Sequence, residues 1–261
     1  MSVIDFIWMI RGKTPSKRYI ELDLLRGLAI ILMIFGHLLW DLDYFGLVPI
    51  NNTIYSLLQK IVPPLFFIIV GMSLIASFNK KQRTVEEEKK YFKKMIIRGL
   101  KIFNLGMLLT IGSIIAIPGQ PVYFGVLHCI GISIVLSVIF LKYRVYNFFF
   151  GFLFVMIGLI FAGLHVSNPT IIHFVIGIHP SEVWRYTVDY FPLLPWFGLT
   201  LLGIALGNVI YCKDKRRFKI PDFSKYRPAK IFSWVGRHSL EIYLLHQPII
   251  AGALYVFVRF M

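Results

Sequence analysis

Seven apolar runs leave this chain few folds to choose from. They are Ile20–Trp40, Ile61–Phe78, Met95–Ile117, Val122–Leu141, Val145–Leu164, Phe191–Tyr211 and Ile231–Phe260. The first six are each close to the ~20 residues a helix needs to cross a hydrocarbon layer. The last is too long to be only a span, and its first turns, Ile231 to His238, are expected to lie at the interface. In lipid every backbone N–H and C=O must be satisfied within the protein, which favours helices. The expected fold is therefore all-α: a polytopic integral membrane bundle of about seven transmembrane helices. A hydrophobic content of 57% and a mean hydropathy of +0.71 exclude a soluble domain.

The formal charge of +15 would fit nucleic-acid binding until the basic residues are located. They cluster at Lys80 to Arg83, Lys89 to Lys94, Lys142 to Arg144 and Lys213 to Lys219, in every second connection. Lys60 and Arg185 are the exceptions in the other connections. This is the positive-inside pattern, so the N-terminus is expected in the cytoplasm and the C-terminus outside. The partner this implies is the anionic face of a bilayer, with no nucleic acid. Residues 1–19 combine a short apolar run carrying Asp5 with basic residues after it, the wrong order for a cleaved signal. They are read as a cytoplasmic interfacial segment, and 20–261 as one transmembrane domain in the cell membrane. Cys129 and Cys212 form no metal or redox motif.

The first span is unlike an ordinary anchor. Glu21 to Asp41 carries Asp23 and Arg26 at its start and His37 and Asp41 near its end. At 100° per residue, the step from Arg26 to His37 returns to nearly the same direction, about 16 Å along the axis. Asp23 and Asp41 lie on or near the same stripe by their spacing of three and four. Ionisable groups at this depth normally face protein or a wet cavity. The stripe predicts a polar site or pathway beside this helix. The plain alternative is that Asp23 and Arg26 are interfacial anchors and Asp41 opens a loop.

Other spans add to the set. His128 sits in GVLHCIG, about two turns from the outer end of the fourth span. His246 lies mid-span in LLHQP, where Pro248 frees the Leu244 carbonyl. Pro63 and Pro64 are expected near the start of the second span, and Pro192 and Pro195 fix an irregular lead-in to the sixth. The outer connection 165–190 holds His165, His173 and His179 without the spacing of a metal site, so no metal is expected.

Histidine takes up and releases protons near neutral pH. Acyl transfer to an amine or hydroxyl needs such a base, or a nucleophile that carries the acyl group. His37, oriented by Asp41, fits either role, and His128 and His246 complete the candidate catalytic set. Cationic groups suit an anionic donor. Arg26, Arg98 and Arg237, with Trp196, are the candidate cofactor-binding residues.

DLLRGLAIILMIFGH, FGVLHCIGIS, FPLLPWFGLTLLGIALG and FSWVGRHSLEIYLLHQPII together resemble the transmembrane acyltransferase superfamily. The resemblance is to the branch related to heparan-alpha-glucosaminide N-acetyltransferase and covers about Arg18 to Phe260. The Arg-Gly opening with His eleven residues on is also similar to bacterial O-acyltransferases of cell-surface sugars, whose essential Arg and His map to Arg26 and His37. The resemblance implies transfer of acetyl from cytoplasmic acetyl-CoA to a sugar or glycan amine or hydroxyl outside. One departure is that Asp41 to Lys60, where the lysosomal enzyme has its catalytic His, holds none. The competing classes are a proton-coupled small-molecule transporter, which lacks a visible internal repeat here, and a scaffold or sensor. Oligomeric state stays open, a homodimer included.

Overall fold

The computed structural model describes residues 19–79, 84–212, 215–217 and 226–260. The expected interfacial segment lies outside these residues apart from Tyr19, as do the run 80–83 and parts of 213–219. Nine α-helices are described in chain order. They are α1 Ile20–Tyr44, α2 Asn52–Phe78, α3 Val85–Ala116, α4 Val126–Phe140, α5 Asn147–Ala162, α6 Ile171–Ile176, α7 Leu193–Ile210, α8 Arg227–Arg237 and α9 Ser239–Phe260. Tyr211–Cys212 and Lys215–Arg216 pair as a short antiparallel ladder. Among the described residues, six helical runs are long and apolar enough to cross a membrane. The protein is an all-helical, multi-pass membrane protein.

One of the six runs, Val126–Ala162, is 37 residues long and covers most of two of the expected spans, Val122–Leu141 and Val145–Leu164. A 3₁₀ turn, Leu141–Tyr146, separates α4 from α5, and Arg144 within it has φ 47°, ψ −116°. That backbone is rare outside glycine and breaks the helix axis. Asn147, fully buried, ties the turn down. Its Nδ2 donates to the Phe140 and Arg144 carbonyls, both at 2.9 Å.

Two helix starts differ from expectation. α2 begins at Asn52, well before Ile61, because Asn51 caps it: the Asn51 Oδ1 accepts from the Ile54 N–H at 3.1 Å. Pro63 and Pro64 therefore lie inside the helix rather than in its first turn, where they free the carbonyls of Gln59 and Lys60. α3 begins at Val85 because Thr84 and Glu87 form a reciprocal capping box. Lys89 to Lys94 are thus helical. The last run divides at His238 into α8 and α9.

The chain forms two compact units. The first holds residues 1–69 and 220–261, the second 70–219. In the first, α1 packs most closely on α8. A Cβ built at Gly27 would fall on the Phe232 carbonyl oxygen, and one at Gly236 on the Asp23 carbonyl oxygen. Ile30, Met33 and Val62 form the buried core beside this crossing, with Leu58, Phe66, Val235 and Ile242 against it. In the second unit the same device recurs. Gly99 and Gly131 bring α3 onto α4, and Gly151 and Gly198 bring α5 onto α7, each with the other's carbonyl 2.7–2.8 Å from its built Cβ. Between apolar helices in lipid, close backbone packing supplies the association that hydrophobicity cannot.

These contacts are backbone to backbone, so no side chain can rotate away from an added one. Gly131→Leu is expected to lower the thermal midpoint of the detergent-solubilised protein, by about 1–3 kcal/mol of stability. Gly112→Leu, where a Cβ meets nothing within 4 Å, serves as the unchanged control. Asn147→Leu leaves two turn carbonyls without their donor and is expected to cost about 1–3 kcal/mol in the same assay.

Candidate active site

α1 buries one face, with Asp23, Gly27, Ile30, Met33 and Asp41 on it. The two polar ends of this face behave differently. At the start, Arg26 bonds to Asp23 at 3.0 Å, one turn before it. Arg26 and Arg237 flank the Gly27–Gly236 crossing, and Arg237 is exposed with its Nε donating to the Ser233 carbonyl at 3.1 Å. At the other end lie His37 and Asp41.

Between these ends the expected polar stripe is interrupted. Ile30 and Met33 occupy the intervening turns and close on Val62. Helical spacing aligned the charged residues but could not show that a neighbouring helix fills the interval with apolar side chains. The result is two polar sites on one helix, separated by an apolar layer.

The far site draws on α1 and α9. The His37 and His246 rings meet edge to face, with centroids 4.8 Å apart and planes at 82°. The His37 Nδ1 lies 2.9 Å from the Met33 carbonyl, and the His246 Nδ1 2.7 Å from the Tyr243 carbonyl. A carbonyl only accepts, so each Nδ1 carries the hydrogen and each neutral ring holds its lone pair on Nε2. His246 is buried, whereas His37 is exposed apart from this contact. Asp41, only 1% exposed, is one turn beyond His37 and interacts with it electrostatically. Its Oδ1 accepts from Gln247 Nε2 at 2.8 Å. The Asp41 Oδ2, His246 Nε2 and Gln247 Oε1 atoms are buried with no hydrogen-bond partner among the described residues. Each such atom costs about 1–3 kcal/mol. The arrangement supplies two lone-pair nitrogens and a carboxylate, the set for moving a proton.

Gln247 and Tyr55 are residues the sequence did not single out. Tyr55, on α2, bonds to Gln59 and feels the Asp41 charge. Gln247 stands next to His246 in sequence, but adjacent helical positions diverge by 100°, so only the packing of α9 on α1 brings both to the site.

His128, Arg98 and Trp196 belong to the second unit. His128 is fully engaged where α4 begins. Its Nδ1 accepts from the Gly125 N–H at 3.2 Å, which leaves Nε2 as donor toward the Thr110 hydroxyl at 3.4 Å, and that hydroxyl donates to the Val122 carbonyl. Phe103 and Phe124 flank the ring, and Gly106 leaves room for it. Asp189 closes the same helix start by accepting from the Val126 N–H at 3.2 Å. Arg98 is exposed on α3. Trp196 packs on Phe191 at 4.9 Å, beyond the irregular lead-in, where Leu194 has φ −107°, ψ 131° and the Leu194–Pro195 peptide is cis.

The long connection 165–190 is folded. Tyr190 donates to the Phe174 carbonyl at 2.6 Å, and burial raises its phenol above the ordinary range, keeping it a neutral donor. His165 and His179 bridge, and His173 closes the Thr170 cap of α6. Among the described residues, no three His, Cys, Asp or Glu side chains are grouped to hold a metal ion.

The sequence model of one family, described as heparan-alpha-glucosaminide N-acetyltransferase, catalytic, matches residues 18–248. Comparisons with curated proteins and with solved structures gave no match. The match runs from the start of α1 to Pro248 in α9, spanning both units and the whole histidine pair. On that coverage, the chain belongs to the heparan-alpha-glucosaminide N-acetyltransferase catalytic-domain family of membrane acetyltransferases.

Proposed function

We propose that this protein moves an acetyl group from acetyl-CoA, taken from the cytoplasmic side, to an amine or hydroxyl of a sugar or glycan on the outer side. The family supplies the reaction class. The observation that carries the assignment of residues is the pairing of His37 with His246 beside the buried Asp41. His37 Nε2 is the group that combines a lone pair with exposure.

As general base, His37 Nε2 takes the proton of the acceptor N–H or O–H while the acceptor's lone pair attacks the thioester carbonyl. The C–S bond then breaks, and the imidazolium returns its proton to the leaving thiolate. As acyl carrier, Nε2 itself attacks the carbonyl and the C–S bond breaks to release the thiolate; the acceptor's lone pair then displaces the imidazole from the acetyl carbonyl, and the acceptor's proton passes to the thiolate. In both routes a positive charge develops on the ring next to Asp41, which stabilises it.

The donor's anionic part is assigned to the Arg26–Arg237 end of α1. The donor and acceptor ends are about 16 Å apart along the helix, so the thioester end of an extended donor has to pass the Ile30–Met33–Val62 layer. That layer also weighs against a continuous proton or solute relay along α1. His128, with both nitrogens engaged, is assigned to holding the start of α4. The basic clusters support an N-terminus in the cytoplasm and a cell-membrane location.

His37→Ala is expected to lower acetyl transfer from labelled acetyl-CoA to sugar acceptors by at least about 100-fold. Its thermal shift with CoA should remain. Undiminished transfer would remove His37 from the reaction. Arg237→Ala is expected to raise the KM for acetyl-CoA about tenfold, the worth of a lost charge-assisted contact, with kcat little changed.

A further inference from the structure

Gln247 has no part in the steps above, yet the fold places it inside their site. His246 turns its ring to His37 while the next residue reaches across to α1. There the Gln247 Nε2 meets the Asp41 Oδ1 at 2.8 Å, across 206 residues of sequence. A carboxylate only accepts hydrogen bonds, so the amide nitrogen has to face Asp41, and the amide orientation is fixed. The carboxylate is 1% exposed, its second oxygen has no partner among the described residues, and His37 and Tyr55 both feel its charge.

We infer that Gln247 is a positioning residue of the transfer site: it pins one oxygen of Asp41 so that the carboxylate stays against the His37 imidazole as that ring becomes charged. This rests on the acetyl-transfer reading. A buried carboxylate held by one oxygen has one setting about its terminal torsion. Without the pin the carboxylate is free to turn about that torsion, and the charge forming on His37 loses its fixed counter-charge. The plainer role is that Gln247 only satisfies a buried carboxylate. The two roles differ in what an exchanged pair does. Asp41→Asn with Gln247→Glu keeps an amide-to-carboxylate hydrogen bond but takes the carboxylate off α1.

The test compares wild type, Gln247→Leu, Asp41→Asn and the exchanged pair, as full-length protein in lipid nanodiscs. With labelled acetyl-CoA and glucosamine as the probe acceptor, Gln247→Leu is expected to lose about 10- to 100-fold in kcat, with the KM for acetyl-CoA unchanged. The exchanged pair should recover the wild-type thermal midpoint but not kcat. A second readout needs no turnover: carbethoxylation of His37 by diethyl pyrocarbonate, followed by mass spectrometry. It should slow severalfold, and alike, in Gln247→Leu and Asp41→Asn. Wild-type modification of His37 in Gln247→Leu, or an exchanged pair that regains both kcat and midpoint, overturns the inference. Wild-type protein that acetylates no sugar sinks the acetyl-transfer reading alone, and the His37 modification rates then decide the role of Gln247.

Discussion

Two glycines facing two carbonyls decide where the polar side chains of the first unit meet. Gly27 and Gly236 let the backbones of α1 and α8 touch, at a spacing no Cβ permits. α8 ends at Arg237, and α9 starts two residues on. The crossing therefore sets the point and direction from which α9 runs, and with it the level at which His246 and Gln247 meet α1. Small residues at such crossings are how helices associate when the surrounding lipid is as apolar as their side chains. The second unit repeats the solution at Gly99–Gly131 and Gly151–Gly198.

Several buried polar groups serve the backbone around them. Asn147 answers two turn carbonyls, His128 answers one backbone donor and one hydroxyl, and Asn79 donates to Asn208 and to the Tyr211 carbonyl. Each is a local repair of backbone or side-chain groups that lipid would leave unsatisfied. Four buried side-chain atoms among the described residues are left without a partner: one is the Asn147 Oδ1, on a side chain that still answers its two carbonyls, and three lie together in the Asp41–His246–Gln247 cluster beside His37. Groups that cost free energy and repair nothing locally are where a membrane helix bundle carries function.

Much of this was legible in the chain. Hydropathy marked the spans, and the 3.6-residue period put His37 and Asp41 on one face of α1. A polar cap extends the helix beyond the apolar run at Asn51 and Thr84, so these two helices start earlier than hydropathy alone predicts. Both caps were readable as residue types, but hydropathy, which locates the lipid-facing stretch, does not mark them. One helix taken alone presents a continuous polar stripe, and Val62, supplied by another helix, closes it.

Runs this apolar must satisfy their own hydrogen bonds, so the order of residues alone already specifies a helical membrane protein. That order also marks a short list of ionisable residues too costly to be incidental. Which of them meet depends on how the helices pack, since helical period relates residues within one segment and says nothing of the partner across the gap. That packing joined His246 and Gln247 to His37 and Asp41, and turned His128 to a helix start.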